Sequence, residues 1–194
     1  MMRRLIFISL LIVPVSLFAQ RFSGGIHAGF NASQIFGDGV GGYNKAGLMG
    51  GAFVYTELSD KWGGQLEIRY SEKGSATYPR HPEPWKIKLQ YIELPVLVIY
   101  DMSKKFQIQG GVSVGYLFRA SRNDGYGYET FEQFDKFEAA INLGVKYALF
   151  DRLSINIRST QSILPIYALY SGATAPYSMF NNVVTFAFYY QIGR

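Results

Sequence analysis

Two histidines and a few strand-borne carboxylates are the residues of this chain that could do chemistry. A Ser-His-acid relay needs a histidine beside both a nucleophile and an orienting carboxylate. His27 would have to find Ser113 or Ser154, together with Glu138 or Glu93. It sits on the polar side of an alternating stretch, where hydrogen bonding is the expected role. His81 lies among Pro79, Pro82 and Pro84 and reads as a solvated loop residue. Two distant histidines, no cysteine and no clustered ligand spacing support no metal site. Asp38 and Asp124 lack the spaced carboxylates of a calcium loop. Gly37–Gly42 is followed by neither Gly-Lys-Ser/Thr nor a helix, so it is no phosphate cradle. The chain is therefore expected to be no enzyme and to need no cofactor.

A different set of polar residues recurs at a fixed spacing. Glu67, Arg69, Glu93, Arg119, Glu138, Lys146 and Arg158, with Gln65, Gln107, Gln109 and Asn142, each stand opposite an apolar side in a stretch that alternates with period two. That period marks strands whose two faces meet different surroundings. Eight such stretches are expected: Phe22–Ser33, Ala46–Glu57, Trp62–Lys73, Lys86–Tyr100, Phe106–Ala120, Phe137–Leu149, Leu153–Ser162 and Asn181–Ile192. The fourth, KIKLQYIELPVLVIY, is long enough to cross a bilayer as a tilted strand, which takes about 9–11 residues, and too short and too charged for a membrane helix.

The seven connections alternate long and short, beginning and ending long. A soluble sandwich has no reason to do this. An outer-membrane barrel does, because its periplasmic turns are short and its outer loops long. Trp62, Tyr100, Phe106, Tyr147, Phe150 and Tyr190 fall near short-turn ends, and Tyr70, Tyr116, Phe118 and Phe137 near long-loop ends, as two interfacial belts would. The expected fold is thus all-β: an eight-stranded antiparallel up-and-down transmembrane barrel.

So small a barrel is filled by its own side chains. The seven charges are then expected to point inward as a ladder of ion pairs, since a buried charge without a partner costs several kcal/mol. Facing lipid at mid-depth, Arg69 would instead cost about 2–4 kcal/mol. One detail interrupts the pattern. Ile87, Leu89 and Tyr91 and then Ile92, Leu94, Val96 and Val98 look like one apolar face slipped by one residue. With Pro95, which cannot donate to a ladder, this predicts a β-bulge near Tyr91–Pro95 that keeps Glu93 inward.

Composition agrees with export. Met1–Ala19 has a basic start (Arg3, Arg4), an apolar run Leu5–Val13 and a break at Pro14, which reads as a signal peptide of the general secretory route rather than an uncleaved anchor. Residues 20–194 would form one barrel domain. They carry 17 basic and 14 acidic residues, 17 − 14 = +3, too little and too scattered for nucleic acid. The aromatic outer loops, with Tyr126, Tyr128, Phe131 and Phe134 in one and Tyr167, Tyr170 and Tyr177 in another, suit either recognition or anchoring in lipid headgroups.

The segment Tyr91-Ile92-Glu93-Leu94-Pro95 with its apolar run to Tyr100 resembles the outer-membrane β-barrel family that includes the PorT-like proteins. AGLMGGAFVYTELSDKW (Ala46–Trp62), LEIRYSEKG (Leu66–Gly74) and LSINIRS (Leu153–Ser159) extend the resemblance over nearly the whole mature chain. It implies an eight-stranded barrel integral to the outer membrane and, more narrowly, an accessory of protein secretion. The end departs from the common terminal aromatic, which shifts the expected assembly signal to Phe188 and Tyr190. The expected function is a scaffold or interaction protein whose partners are outer-membrane lipid and other envelope or secretion proteins. The alternatives are a lipid-modifying enzyme on the same scaffold, a soluble lipocalin-like carrier and, weakest, a diffusive channel.

Overall fold

Period-two alternation becomes strand at each of the eight stretches. In the computed structural model the structure describes residues 22–78, 85–123, 127–130, 134–169 and 177–193. Among the described residues ten strands follow one another: β1 (Phe22–Phe36), β2 (Lys45–Glu57), β3 (Trp62–Ala76), β4 (Lys86–Asp101), β5 (Phe106–Asn123), β6 (Tyr128–Thr130), β7 (Phe137–Ala148), β8 (Leu153–Ser162), β9 (Tyr167–Leu169) and β10 (Tyr177–Gln191). Eight of them pair in the antiparallel order β1-β2-β3-β4-β5-β7-β8-β10, and β10 pairs back onto β1 to close the barrel. Closure leaves none of these eight strands with an unpaired edge through the barrel wall, a condition any sheet must meet in lipid.

The strands rise further at the long-loop end than their alternation predicted. There β1 continues to Phe36, β3 to Ala76 and β5 to Asn123, and β10 begins at Tyr177. The short strands lengthen this rim: β6 pairs Ser121–Asn123 of β5, and β9 pairs Tyr177–Met179 of β10. At the other end three tight turns share one hydrogen-bond pattern. Leu58 and Ser59 N–H donate to the Trp62 carbonyl at 2.8 and 3.0 Å, while Trp62 N–H donates back to Ser59 at 3.3 Å. Met102, Ser103 and Phe106 repeat it, as do Leu149, Phe150 and Leu153.

The two faces are inverted relative to a water-soluble protein. Leu66, Val96 and Leu143 are 53%, 56% and 63% exposed, while Arg69 and Arg158 are 2% and 1% exposed. So broad an apolar exterior marks a surface that water does not cover. Both aromatic belts lie on it, with Trp62 and Tyr100 rings 4.8 Å apart at one end and Tyr116 and Phe137 rings 5.5 Å apart at the other.

The slip predicted in β4 does not occur. Ile87, Leu89, Tyr91, Glu93, Pro95, Leu97 and Ile99 all face inward without interruption. What changes at Tyr91 is the surroundings. Toward the outer rim the interior becomes apolar and the exterior polar, so the hydrophobic residues switch sides while the backbone keeps its phase. The bulge lies on β5 instead. Gln90 faces Arg119 and Tyr91 faces Leu117, which leaves Phe118 as the extra residue. Pro95 is accommodated where the pairing with β3 lapses, between Leu66–Val96 and Arg69–Glu93, with the register unchanged.

Inward glycines let neighbouring backbones crowd together. A Cβ on Gly111 would stand 2.0 Å from the Val96 carbonyl oxygen and 2.8 Å from Leu97 Cα. Gly111→Ala is expected to cost about 1–3 kcal/mol through this overlap. Gly110→Ala, whose Cβ would meet only Leu143 Cδ2 at 3.6 Å, should leave the urea midpoint in lipid vesicles nearly unmoved. Equal shifts for the two would remove the crowding account.

Candidate functional site

The lumen is the most elaborated part of the molecule, and it is layered. The middle layer holds ions. Glu67 on β3 accepts two bonds from Arg158 on β8, each 2.8 Å, and a third at 3.0 Å from the Tyr189 hydroxyl. Planar guanidinium and carboxylate match in such a fork, which gives the pair direction as well as energy. Arg69 Nε donates to Glu93 at 2.6 Å. Lys73 reaches Glu93 at 2.5 Å and Glu138 at 3.0 Å, and the Ser162 hydroxyl donates to Glu138 at 2.5 Å. Neutral amides bind the network to the wall: Asn156 donates to Gln109 at 2.8 Å and Asn142 to Ser113 at 2.9 Å.

Of the seven charges expected inside, Glu67, Arg69, Glu93, Glu138 and Arg158 meet in this network. Two behave otherwise. Arg119 is exposed on the outer face, because the β5 bulge adds one residue and reverses the side on which it emerges. Lys146 is buried, but its Nζ donates to the Gln65 side chain at 3.1 Å and lies over the rings of Phe53 and Tyr189, 5.7 and 5.1 Å from their centroids. Among the described residues no carboxylate pairs with it. Lys73 and Tyr189 are central residues that the expected set omitted. Both were within reach of the alternation, since Lys73 is in phase with Glu67 and Arg69, and Tyr189 with Thr185 and Ala187.

Below the ions, toward the short turns, His27, Phe53 and Tyr189 form an aromatic layer. The His27 and Tyr189 rings are 4.7 Å apart, and those of Phe53 and Tyr189 5.4 Å. Neither His27 nitrogen finds a hydrogen-bond partner among the described residues; the contacts its ring makes there are with Phe53 and Tyr189, in place of the hydrogen bond expected. The pairing of His27 with Ser113 or Ser154 that a relay requires does not form. Among the described residues no three histidine or carboxylate side chains converge as a metal set.

Above the ions an apolar plug fills the outer end. Ile35, Ile87, Leu89, Tyr91, Leu117 and Ile166 are its buried centre, joined by Ala120 and Phe134. Tyr167, expected as a recognition residue, packs against this plug with its ring 5.7 Å from Phe134. Tyr126, Phe131, Tyr170 and His81 lie outside the described residues, and so do the side chains of Tyr128 and Tyr177. On the outer rim Lys45 and Lys88 flank Glu72 at 2.6 and 2.9 Å. In the loop beyond β1, burial raises the Asp38 carboxyl above the usual range, against the bond of 2.8 Å that it accepts from Val40 N–H.

Comparison with known proteins gives the same architecture. Among solved structures, Ail, the attachment invasion locus protein of Yersinia pestis, in complex with the heparin analogue sucrose octasulfate, is 12% identical with a TM-score of 0.53, covering 89% of this chain and 99% of that one. Neisserial surface protein A is 11% identical with a TM-score of 0.53, covering 88% and 97%. At such identities the likeness is one of fold alone. No curated protein matches by sequence. The family model of the outer membrane protein β-barrel domain matches residues 18–168. With most of the chain matched, and with a closed eight-stranded barrel whose apolar face is turned outward, this protein belongs to the outer membrane protein β-barrel domain family.

Proposed function

We propose that this barrel is a non-enzymatic scaffold or interaction protein that meets its partner at the outer rim, and more narrowly that it is a PorT-like accessory of protein secretion. The observation that carries the reading is the occupied lumen. Ion pairs span its middle and the plug of Ile87, Leu89, Tyr91, Leu117 and Ile166 fills its outer end, so contact is left to the rim. The rim continues past the belts as the β5–β6 and β9–β10 ribbons, where rigid strands present side chains better than loose loops. Ail, a barrel of the same fold, is an attachment invasion locus protein determined in complex with a heparin analogue, which supports recognition by analogy of fold. The narrower reading rests on the resemblance of the segment from Tyr91 to Tyr100, and the same reading takes Met1–Ala19 as the export signal.

The test is cross-linked co-purification of the tagged barrel from outer membranes, beside a variant with residues 124–136 shortened. The full barrel is expected to bring down a defined partner and the shortened one to lose it while remaining in the membrane. Identical captured sets would remove the rim from the proposal. For the narrower reading, deletion should trap an exported protein in the periplasm, and normal secretion would exclude it.

A further inference from the structure

The lumenal ions do not balance. Outside the Lys45–Glu72 pair at the rim, the buried acids among the described residues are Glu67, Glu93 and Glu138, and the buried bases are Arg69, Lys73, Lys146 and Arg158. Three of those bases serve the three acids. The fourth, Lys146, is left one positive charge in excess, and it is the one that borders open space.

Lys146 lines a cavity of about 150 Å³ at the short-turn end of the barrel, the end that faces the periplasm in outer-membrane barrels. Phe53 and Tyr189 form part of its wall, and Lys104, Lys105 and Arg152 reach it from two of the tight turns. Four cations therefore line this space against one carboxylate, Asp151. A wider vestibule of about 490 Å³ shares part of the lining and carries the carboxylates Glu57, Asp101 and Asp151. The ammonium spends one N–H on Gln65 at 3.1 Å and sets its charge over two ring faces. Ring faces stabilise a cation without neutralising it, and a buried charge gains most from an opposite one in a medium that screens poorly.

We propose that this cavity is a binding site for a small oxyanion, a carboxylate or phosphate group entering from the periplasm and held by Lys146 at the floor with Lys105 and Arg152 above it. The floor supplies a desolvated ammonium and the turns supply solvated cations, so entry is steered and the bound group is held at depth. The cavity's volume of about 150 Å³ leaves small solutes as the class that fits. The site is independent of the outer rim and of any partner bound there.

The experiment uses the whole barrel in lipid nanodiscs, with lysine labelled at Cε. Sodium acetate and sodium phosphate are titrated separately, with sodium chloride at matched ionic strength. The Lys146 signal is expected to move saturably with acetate, phosphate or both, and not with chloride; which anion acts separates a carboxylate from a phosphate ligand. By calorimetry, Lys146→Met, which keeps an unbranched chain against Phe53 and Tyr189, should abolish the binding heat. Arg152→Gln, changed at an exposed turn position that leaves the fold intact, should raise the half-saturating concentration by up to about tenfold. A Lys146 signal that neither oxyanion moves, or that chloride moves equally, overturns the proposal. So does undiminished binding in both variants.

Discussion

Glu67→Ala is expected to remove about 3–5 kcal/mol from the folded barrel, the usual consequence of deleting one partner of a buried pair. Arg158 would lose both of its forked bonds to Glu67 and the Tyr189 hydroxyl would lose its acceptor. What remains to the guanidinium is neutral: Gln109 Oε1 at 3.0 Å and Tyr189 Oη at 3.1 Å. The lumen would then hold two cations without a carboxylate, Arg158 and Lys146, while Arg69 keeps Glu93. Exchanging both partners, Glu67→Met with Arg158→Met, should recover most of the loss, because a pair replaced by apolar groups of similar volume leaves no charge behind. Equilibrium urea unfolding in lipid vesicles, followed by tryptophan fluorescence, separates the two cases. If single and double variants fall together, the network matters for its packing and not for its charge.

Val96→Arg is the second large effect. Val96 stands opposite Leu66 on one side and Val112 on the other, on the outward face between the two aromatic belts. A guanidinium there must displace lipid, at a cost of about 2–4 kcal/mol near mid-depth. Tyr100→Arg, on the same face but in the belt beside Trp62, should cost about 0–1 kcal/mol, because its charge can reach the headgroups. The depth dependence is the decisive reading. A water-exposed strand would accept arginine equally at both positions, and equal stabilities in vesicles would overturn the inside-out assignment.

These two experiments probe features that differed in how far they could be read beforehand. Glu67, Arg69, Glu93, Glu138 and Arg158 announced themselves by standing opposite leucines, isoleucines and valines at period two. Arg119 obeyed the same pattern and was misplaced, because a single extra residue, Phe118, reverses every side chain beyond it. Nothing local distinguishes that insertion from regular alternation. The apolar run Ile87-Leu89-Tyr91 misled for another reason. A hydrophobic residue is equally at home against lipid and inside a plug, and only its height along the barrel decides which. Lys73 closes the third expected stretch in phase with Glu67 and Arg69 but lies outside the expected inward set, because alternation alone does not show whether so terminal a side chain still enters the lumen.

The number of barrel strands, their direction, the choice of inward face through mid-barrel and the placement of the tight turns were all determined by the amino-acid order, since each depends on neighbours a few positions apart. Partnership across the lumen was decided by the closed barrel. Arg158 finds Glu67 from 91 residues away and Lys73 finds Glu138 from 65. Strand stagger sets which inward residues share a level, and that is a property of the whole ring. The same closure leaves Lys146 facing a cavity in place of a carboxylate, a difference that side-chain chemistry records and local sequence does not.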